Sequence, residues 1–292
     1  MSLRRLANFG WSPYHAVAAL AMGVLGALVV RVALRDIYDI AIGDEESSHI
    51  FLVPIVSAWM FVARRVRLRL CRPHGTWVGP MLVAIGWLAY VEGYNHAMQS
   101  VWHAGALLVV LGCVLSVLGK DVFFRFLPAF LVLVFLIPVP GGLRLRIANP
   151  LQAATAQITQ TIFETFGIAV ERSGNVLEVN GRHVAVAEAC NGMRGVFALV
   201  LVSYAFAFSM PLRRGVRALV LIASPIAALL CNVIRLVPTV WLYGFRSQKL
   251  ADGFHDVSGW IMLPIAFLLL LGVIRVLRWA MVPVARFNLA YQ

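Results

Sequence analysis

The sequence predicts an all-α polytopic membrane protein of about eight transmembrane helices, with a small extracytoplasmic cap of one amphipathic helix and a β-meander. Three observations lead there. The chain is 61% hydrophobic and 13% charged, with a mean hydropathy of +0.84, far more apolar than a soluble domain. Its apolar residues gather into successive runs near the length that spans a bilayer. Its charges cluster between those runs. The formal net charge of +12 therefore reads as a topology signal with some affinity for anionic lipid, not as the footprint of a nucleic acid.

The first run, 14–34, follows Arg4 and Arg5 and shows no small-residue cleavage site, so a retained helix is expected rather than a signal peptide. Further runs cover 50–62, 77–91, 101–118, 126–139, 193–210, 216–243 and 259–277, the two short ones extended by 47–49 and 92–94. With the N-terminus in the cytoplasm, most of the 25 Lys and Arg fall in inner segments, the cluster from Arg64 to Arg72 and the group Arg213, Arg214 and Arg217 among them. The bias predicts a multi-pass protein of the inner (cytoplasmic) membrane with both termini inside.

The outer segment 141–191 differs from the other loops. Asn149-Pro150 reads as an N-cap followed by proline at the first helical position. Ile147, Leu151, Ala154, Ile158, Ile162 and Phe166 recur at helical spacing, with Thr155, Gln157, Thr159, Gln160 and Glu164 opposite and Gly167 at the end. Such a helix lies on the membrane or the bundle. Three β-prone runs follow, separated by Ser173-Gly174-Asn175 and Asn180-Gly181, which predicts a three-stranded meander. Its last strand leads to Cys190 and the sixth helix. Residues 1–292 read as a single membrane domain with 141–191 as a cap insertion.

In this topology Cys190, Arg235 and His255 converge on the extracytoplasmic side. A cysteine is usually a small buried hydrophobe. Cys190, however, stands at a helix N-terminus with Arg194 one turn on, and both effects favour a thiolate. Glu188 and Arg194 flank it as supporting residues. Arg235 falls inside a span, where an unpaired charge is costly and its default reading is functional; Asn232 lies one turn before it and Pro238 three residues after. His255, expected in the loop between the last two helices, is a proton-transfer candidate, with His49 as its competitor and His96, His103 and His183 as weaker ones. Cys71, Cys113 and Cys231 keep a structural reading. The four cysteines show no CxxC spacing, and no metal or cofactor motif is present.

Cys190 in Glu-Ala-Cys-Asn-Gly-Met-Arg, Arg235 in Asn-Val-Ile-Arg, and His255 in Phe-His-Asp-Val-Ser-Gly-Trp resemble the three signature blocks of the exosortase/archaeosortase family. Ser48-His49-Ile50-Phe51-Leu52-Val53-Pro54 is similar to its early Ser-His-Gly-Phe-type motif, with Ile50 in place of the usual glycine; Asn191 likewise stands where many members have serine. The resemblance implies a sortase-like membrane transpeptidase or cysteine protease with Cys190 as nucleophile, Arg235 stabilising an oxyanion or substrate, and His255 transferring protons. The implied partners are exported proteins with a C-terminal sorting tail: a short motif such as Pro-Glu-Pro, a transmembrane helix and an Arg cluster. No metal or cofactor is implied. The alternatives are a transporter, or a scaffold component of exopolysaccharide export, with Arg235 and Asn232 lining a polar path.

Overall fold

The computed structural model describes residues 10–73, 75–185, 192–210 and 212–279; a few side chains within those stretches, Arg194 among them, lie outside the description. The chain divides into two compact units, Met1–Pro140 and Gly141–Gln292.

In the first unit the helices are α1 (Pro13–Val29), α2 (Arg31–Gly43), α3 (Leu52–Ala63), α4 (Val78–Asn95), α5 (Gln99–Leu118), α6 (Lys120–Arg125) and α7 (Leu127–Leu131), with 3-10 turns at Glu45–Phe51, Arg65–Leu70 and Val132–Leu136. Helix α1 opens with Pro13 after an extended Ser12, the ring presetting the helical φ. Its axis turns by 81° into α2, at a Val30 that is fully buried with Ala33 against Ala106, Val109 and Cys113 of α5. Helices α4 and α5 run antiparallel on a glycine seam. A Cβ at Gly93 would lie 2.3 Å from Trp102 N, and one at Gly105 2.3 Å from Tyr90 N, so only hydrogen fits between the backbones. The expected span over 126–139 folds instead as α7 and a 3-10 turn. It ends at an extended Ile137, as residues preceding a proline prefer.

The second unit holds α8 (Gly141–Thr165), β1 (Val170–Ser173), β2 (Val176–Val179), β3 (Arg182–Ala185), α9 (Gly192–Ser209), α10 (Arg214–Phe245) and α11 (Gln248–Trp279). Helix α8 begins eight residues before the expected cap at Asn149 and carries Pro150 inside it. That proline frees the carbonyl of Arg146, and Arg146, Asn149 and Pro150 are all exposed, so solvent or headgroups can satisfy it. The other end is as expected. Gly167 adopts φ 75, with Ile168 N–H donating to Phe163 O and Gly167 N–H to Glu164 O, both at 3.0 Å, a Schellman closure.

The meander also forms as predicted, in order β1-β2-β3 with antiparallel pairs Val170↔Val179 and Leu177↔Val184. Asn180 and Gly181 both take positive φ, 55 and 73, as a type I′ hairpin demands. Val170, Leu177, Val179 and Val184 turn inward and bury with Ala156 and Phe163 of α8 and Leu236 and Val240 of α10. The hairpin caps the end of α10: Asn180 Nδ2 donates to Gly244 O at 3.2 Å, and Arg182 Nη1 to Tyr243 O at 3.0 Å and Arg246 O at 2.9 Å. These meet carbonyls that a helix C-terminus otherwise leaves unpaired.

Among the described residues two helices, α5 and α10, are long and apolar enough to cross a membrane, or up to four if each sharply bent pair is one span. Stretches at Ser47–Ala63, Gly195–Ser209 and Phe267–Val276 are apolar but shorter. The mostly helical architecture with a small sheet thus follows the expectation, and the count of about eight spans is met only in part.

Candidate active site

Helix α10 organises the second unit. Its two internal prolines, Pro225 and Pro238, remove N–H groups, and hydroxyls work on the carbonyls around them. Ser224 Oγ donates to Leu221 O, the carbonyl Pro225 frees, at 2.9 Å; Thr239 Oγ1 donates to Arg235 O at 2.8 Å. Local hydroxyl partners of this kind let proline persist in an apolar helix. Arg235 is half-buried, and its Nε is buried without a hydrogen-bond partner among the described residues. One turn earlier, Asn232 Nδ2 donates to Thr155 Oγ1 of α8 at 3.4 Å, and Thr155 Oγ1 in turn donates to Leu151 O at 2.8 Å.

Packing contacts set what stands beside Arg235. Val196 and Leu199 of α9 meet Ala227, Ala228 and Cys231 of α10, while Ala207 meets Val216 and Val220. Extending this antiparallel register brings the start of α9 at Gly192 level with Arg235. Cys190 and Glu188 lie outside the described residues; Arg194 falls in the first turn of α9.

Helix α11 returns along α10. Tyr243 Oη donates to the Asp252 carboxylate next to the turn, Ile265 joins the cluster of Ala227 and Cys231, and Ile274 joins that of Val216 and Val220. In this register His255 stands across from about Val240, roughly 7 Å along the axis from the level of Arg235 at 1.5 Å per residue. His255 is therefore on a helix, not in the loop the sequence predicts. Glycine costs a helix only about 1 kcal/mol, and packing along a 32-residue helix carries Gly253 within it.

The His255 side chain is 25% exposed, with Nδ1 3.3 Å from an Asp256 carboxylate that is 80% exposed. That solvated neighbour contributes little. Its Nε2 is buried and, among the described residues, without a partner; its carbonyl accepts from Ser258 Oγ at 3.0 Å. Two nitrogens on adjoining helices, one guanidinium and one imidazole, thus lack partners among the described residues. Unmet polar atoms of this kind are rare in folded proteins, and each calls for a ligand, water or mechanism.

The competing histidines each have partners, although His103 Nδ1, like His255 Nε2, is buried without one among the described residues. His103 is fully buried with Nε2 2.9 Å from Asp36 Oδ2, which also accepts from Gln99 Nε2 at 2.9 Å. His183 and His96 face Glu178 and Glu92 at 3.5 and 3.2 Å. His49, in the first unit, is 7% exposed within the 3-10 turn before α3. Cys71, Cys113 and Cys231 are all buried free thiols. Sequence reasoning did not foresee Thr155 as the partner of Asn232, nor the capping of α10 by Asn180 and Arg182. The first carried a signal, a threonine on the polar face of α8; the second carried none.

The family model for transmembrane exosortases matches residues 35–272, a stretch that includes Asn232, Arg235, His255 and all three strands. No curated protein and no solved structure matches the chain. With most of its length covered, the chain belongs to the transmembrane exosortase family.

Proposed function

We propose that this exosortase-family chain is a membrane-embedded cysteine transpeptidase or protease that cleaves the C-terminal sorting tail of exported proteins by thiol acyl transfer. Exosortases are in general membrane cysteine transpeptidases of protein sorting. The observation that carries the reading for this chain is a pair of nitrogens without partners among the described residues, Arg235 Nε and His255 Nε2, beside the helix that begins two residues after Cys190.

In this mechanism the Cys190 thiolate adds to the scissile carbonyl, and Arg235 stabilises the oxyanion or holds a substrate carboxylate. The C–N bond breaks as His255 delivers a proton to the leaving amine, and water or an incoming amine resolves the thioester. Asn232 steadies the face of α10 that presents Arg235; Arg194 and Glu188 act on the electrostatics of the thiol. The substrate is an exported protein ending in a short motif, a transmembrane helix and an Arg cluster. The site faces the extracytoplasmic side of the inner membrane, with both termini in the cytoplasm.

The test replaces Cys190 by Ser and by Ala in the native host and follows the tail of such a protein. Cleavage should stop in both variants; unchanged cleavage removes the nucleophile from the mechanism. Replacing His49 and His255 by Asn separately then decides which histidine moves the proton, with loss expected for His255.

A further inference from the structure

The meander has two edges, and they are not alike. Along β1, Arg172 Nε donates to Gln160 Oε1 of α8 at 3.1 Å and Nη1 to Gly174 O at 3.2 Å, so side chains flank that edge. On β3 the two-residue turn at Asn180-Gly181 makes Val179↔Arg182 the closing pair. Bonded and non-bonded pairs alternate in an antiparallel ladder, so Leu177↔Val184 is bonded while Glu178↔His183 and Val176↔Ala185 are not. The main-chain N–H and C=O of His183 and Ala185 therefore turn away from β2. Among the described residues no strand and no hydrogen bond meets them there.

Natural sheets guard such edges with lysine, proline or a bulge. β3 carries no lysine, proline or bulge, and at four residues its shortness is what limits unselective pairing. Its arginine, Arg182, is committed to the carbonyls of Tyr243 and Arg246. Val184 is buried with Leu236 and Val240, which fixes the strand against the helix that carries Arg235. Cys190 follows Ala185 by five residues, a reach of at most about 17 Å for extended chain.

We propose that the outer edge of β3 docks the extended tail segment of the substrate, which joins the meander as a further strand beside His183 and Ala185; this rests on the sorting-tail reading above. The pairing is made by main-chain hydrogen bonds and so tolerates varied sequences, leaving choice to alternate side chains. A tail residue opposite His183 on the solvent face meets the row His183, Glu178 and Glu171, and the next one turns toward α10.

The probe is a reporter protein fused to the tail of an exported host protein: short motif, transmembrane helix and Arg cluster. Ala185→Pro removes an outward N–H and no ladder bond. It should lower kcat/KM for tail cleavage at least ten-fold, chiefly through KM. In full-length protein carrying Cys190→Ala, a photo-crosslinking residue at position 185 should capture the reporter tail, and one at Glu171 should not. The crosslink decides the matter if Ala185→Pro fails to accumulate. Wild-type cleavage by Ala185→Pro, or no capture at 185 while the unmodified enzyme cleaves the tail, overturns the docking edge and leaves the sorting function standing. If the unmodified enzyme leaves the tail intact, the sorting reading falls and the docking edge with it.

Discussion

Asn232 and Thr155 join the arginine-bearing helix to the amphipathic one: Nδ2 of the first lies 3.4 Å from Oγ1 of the second, and Thr155 has no exposed surface. The separation is at the long end for a hydrogen bond, yet it gives the Asn232 amide an acceptor. Thr155→Val keeps the shape and removes that acceptor, which should cost about 1–3 kcal/mol. Adding Asn232→Leu should recover part of the loss, because replacing both partners by apolar groups is nearly neutral. Thermal unfolding in detergent of the two single variants and the double variant measures the sign.

Arg235→Met separates function from stability. Its Nε has no partner to lose among the described residues, so the melting temperature should hold or rise. Under the proposed mechanism tail cleavage should fall by about 10²–10³, as for loss of an oxyanion donor. A large drop in melting temperature instead would make Arg235 a structural residue.

The glycine seam between α4 and α5 gives a sharp contrast. Gly93→Ala and Gly105→Ala each set a methyl 2.3 Å from a facing backbone nitrogen and should cost 1–3 kcal/mol or more, about the penalty of overpacking. Gly272→Ala, in α11, meets nothing within 4 Å among the described residues and should gain about 0.5–1 kcal/mol of helix preference. Detergent melting curves and expression level report both.

Thiol labelling tests the burial of the three described cysteines. Cys71, Cys113 and Cys231 are buried in the fold, so a maleimide at neutral pH should leave all three unmodified until the protein unfolds. Burial pushes the Cys71 thiol up, with Asp121 adding to the effect and Arg125 opposing it. The unfolded chain therefore releases that proton first. The stability linked to Cys71 is whole below the ordinary thiol range and is lost as pH rises through it toward the raised value. Peptide mapping after labelling at stepped pH checks both points.

Local chemistry was readable where one or two residues decide the backbone. Asn180-Gly181 and Gly167 needed positive φ and took it, so the meander and the end of α8 stand where the sequence put them. The sequence misled where tertiary packing overrides a local signal. Asn149-Pro150 looks like a helix start, yet α8 runs through it because its exposed face satisfies the freed carbonyl. Gly253 looks like a loop, yet α11 continues across it because α10 is there to pack against. The bend at Val30 carries neither proline nor glycine; its cause is burial against α5, which no local window contains. Of the candidate site, the sequence alone identified Arg235 and His255 as the polar groups to watch, but their stagger along the hairpin depends on Ile265 and Ile274, ten and nineteen residues beyond the histidine.

Helix α10, at 32 residues, is roughly 48 Å long against a hydrocarbon core of about 30 Å. Its exposed aliphatic stripe, Leu219, Ile222, Ile226, Leu230 and Ile234, is continued into the interface by the exposed Trp241 and Phe245, whose aromatic rings favour the headgroup level. The aliphatic stripe centres near Ile226. Half a hydrocarbon thickness from there, about ten residues, ends just past Arg235. The guanidinium then sits at the last oily layer, while the level of His255 and the hairpin on Gly244 stand among headgroups. Under the proposed function, a substrate helix held upright in the same bilayer leaves the oil at that depth, so its first unwound peptide bond meets water and the arginine together. In that mechanism the mismatch between helix and bilayer acts as a ruler, measuring where along an anchored chain a cut can fall.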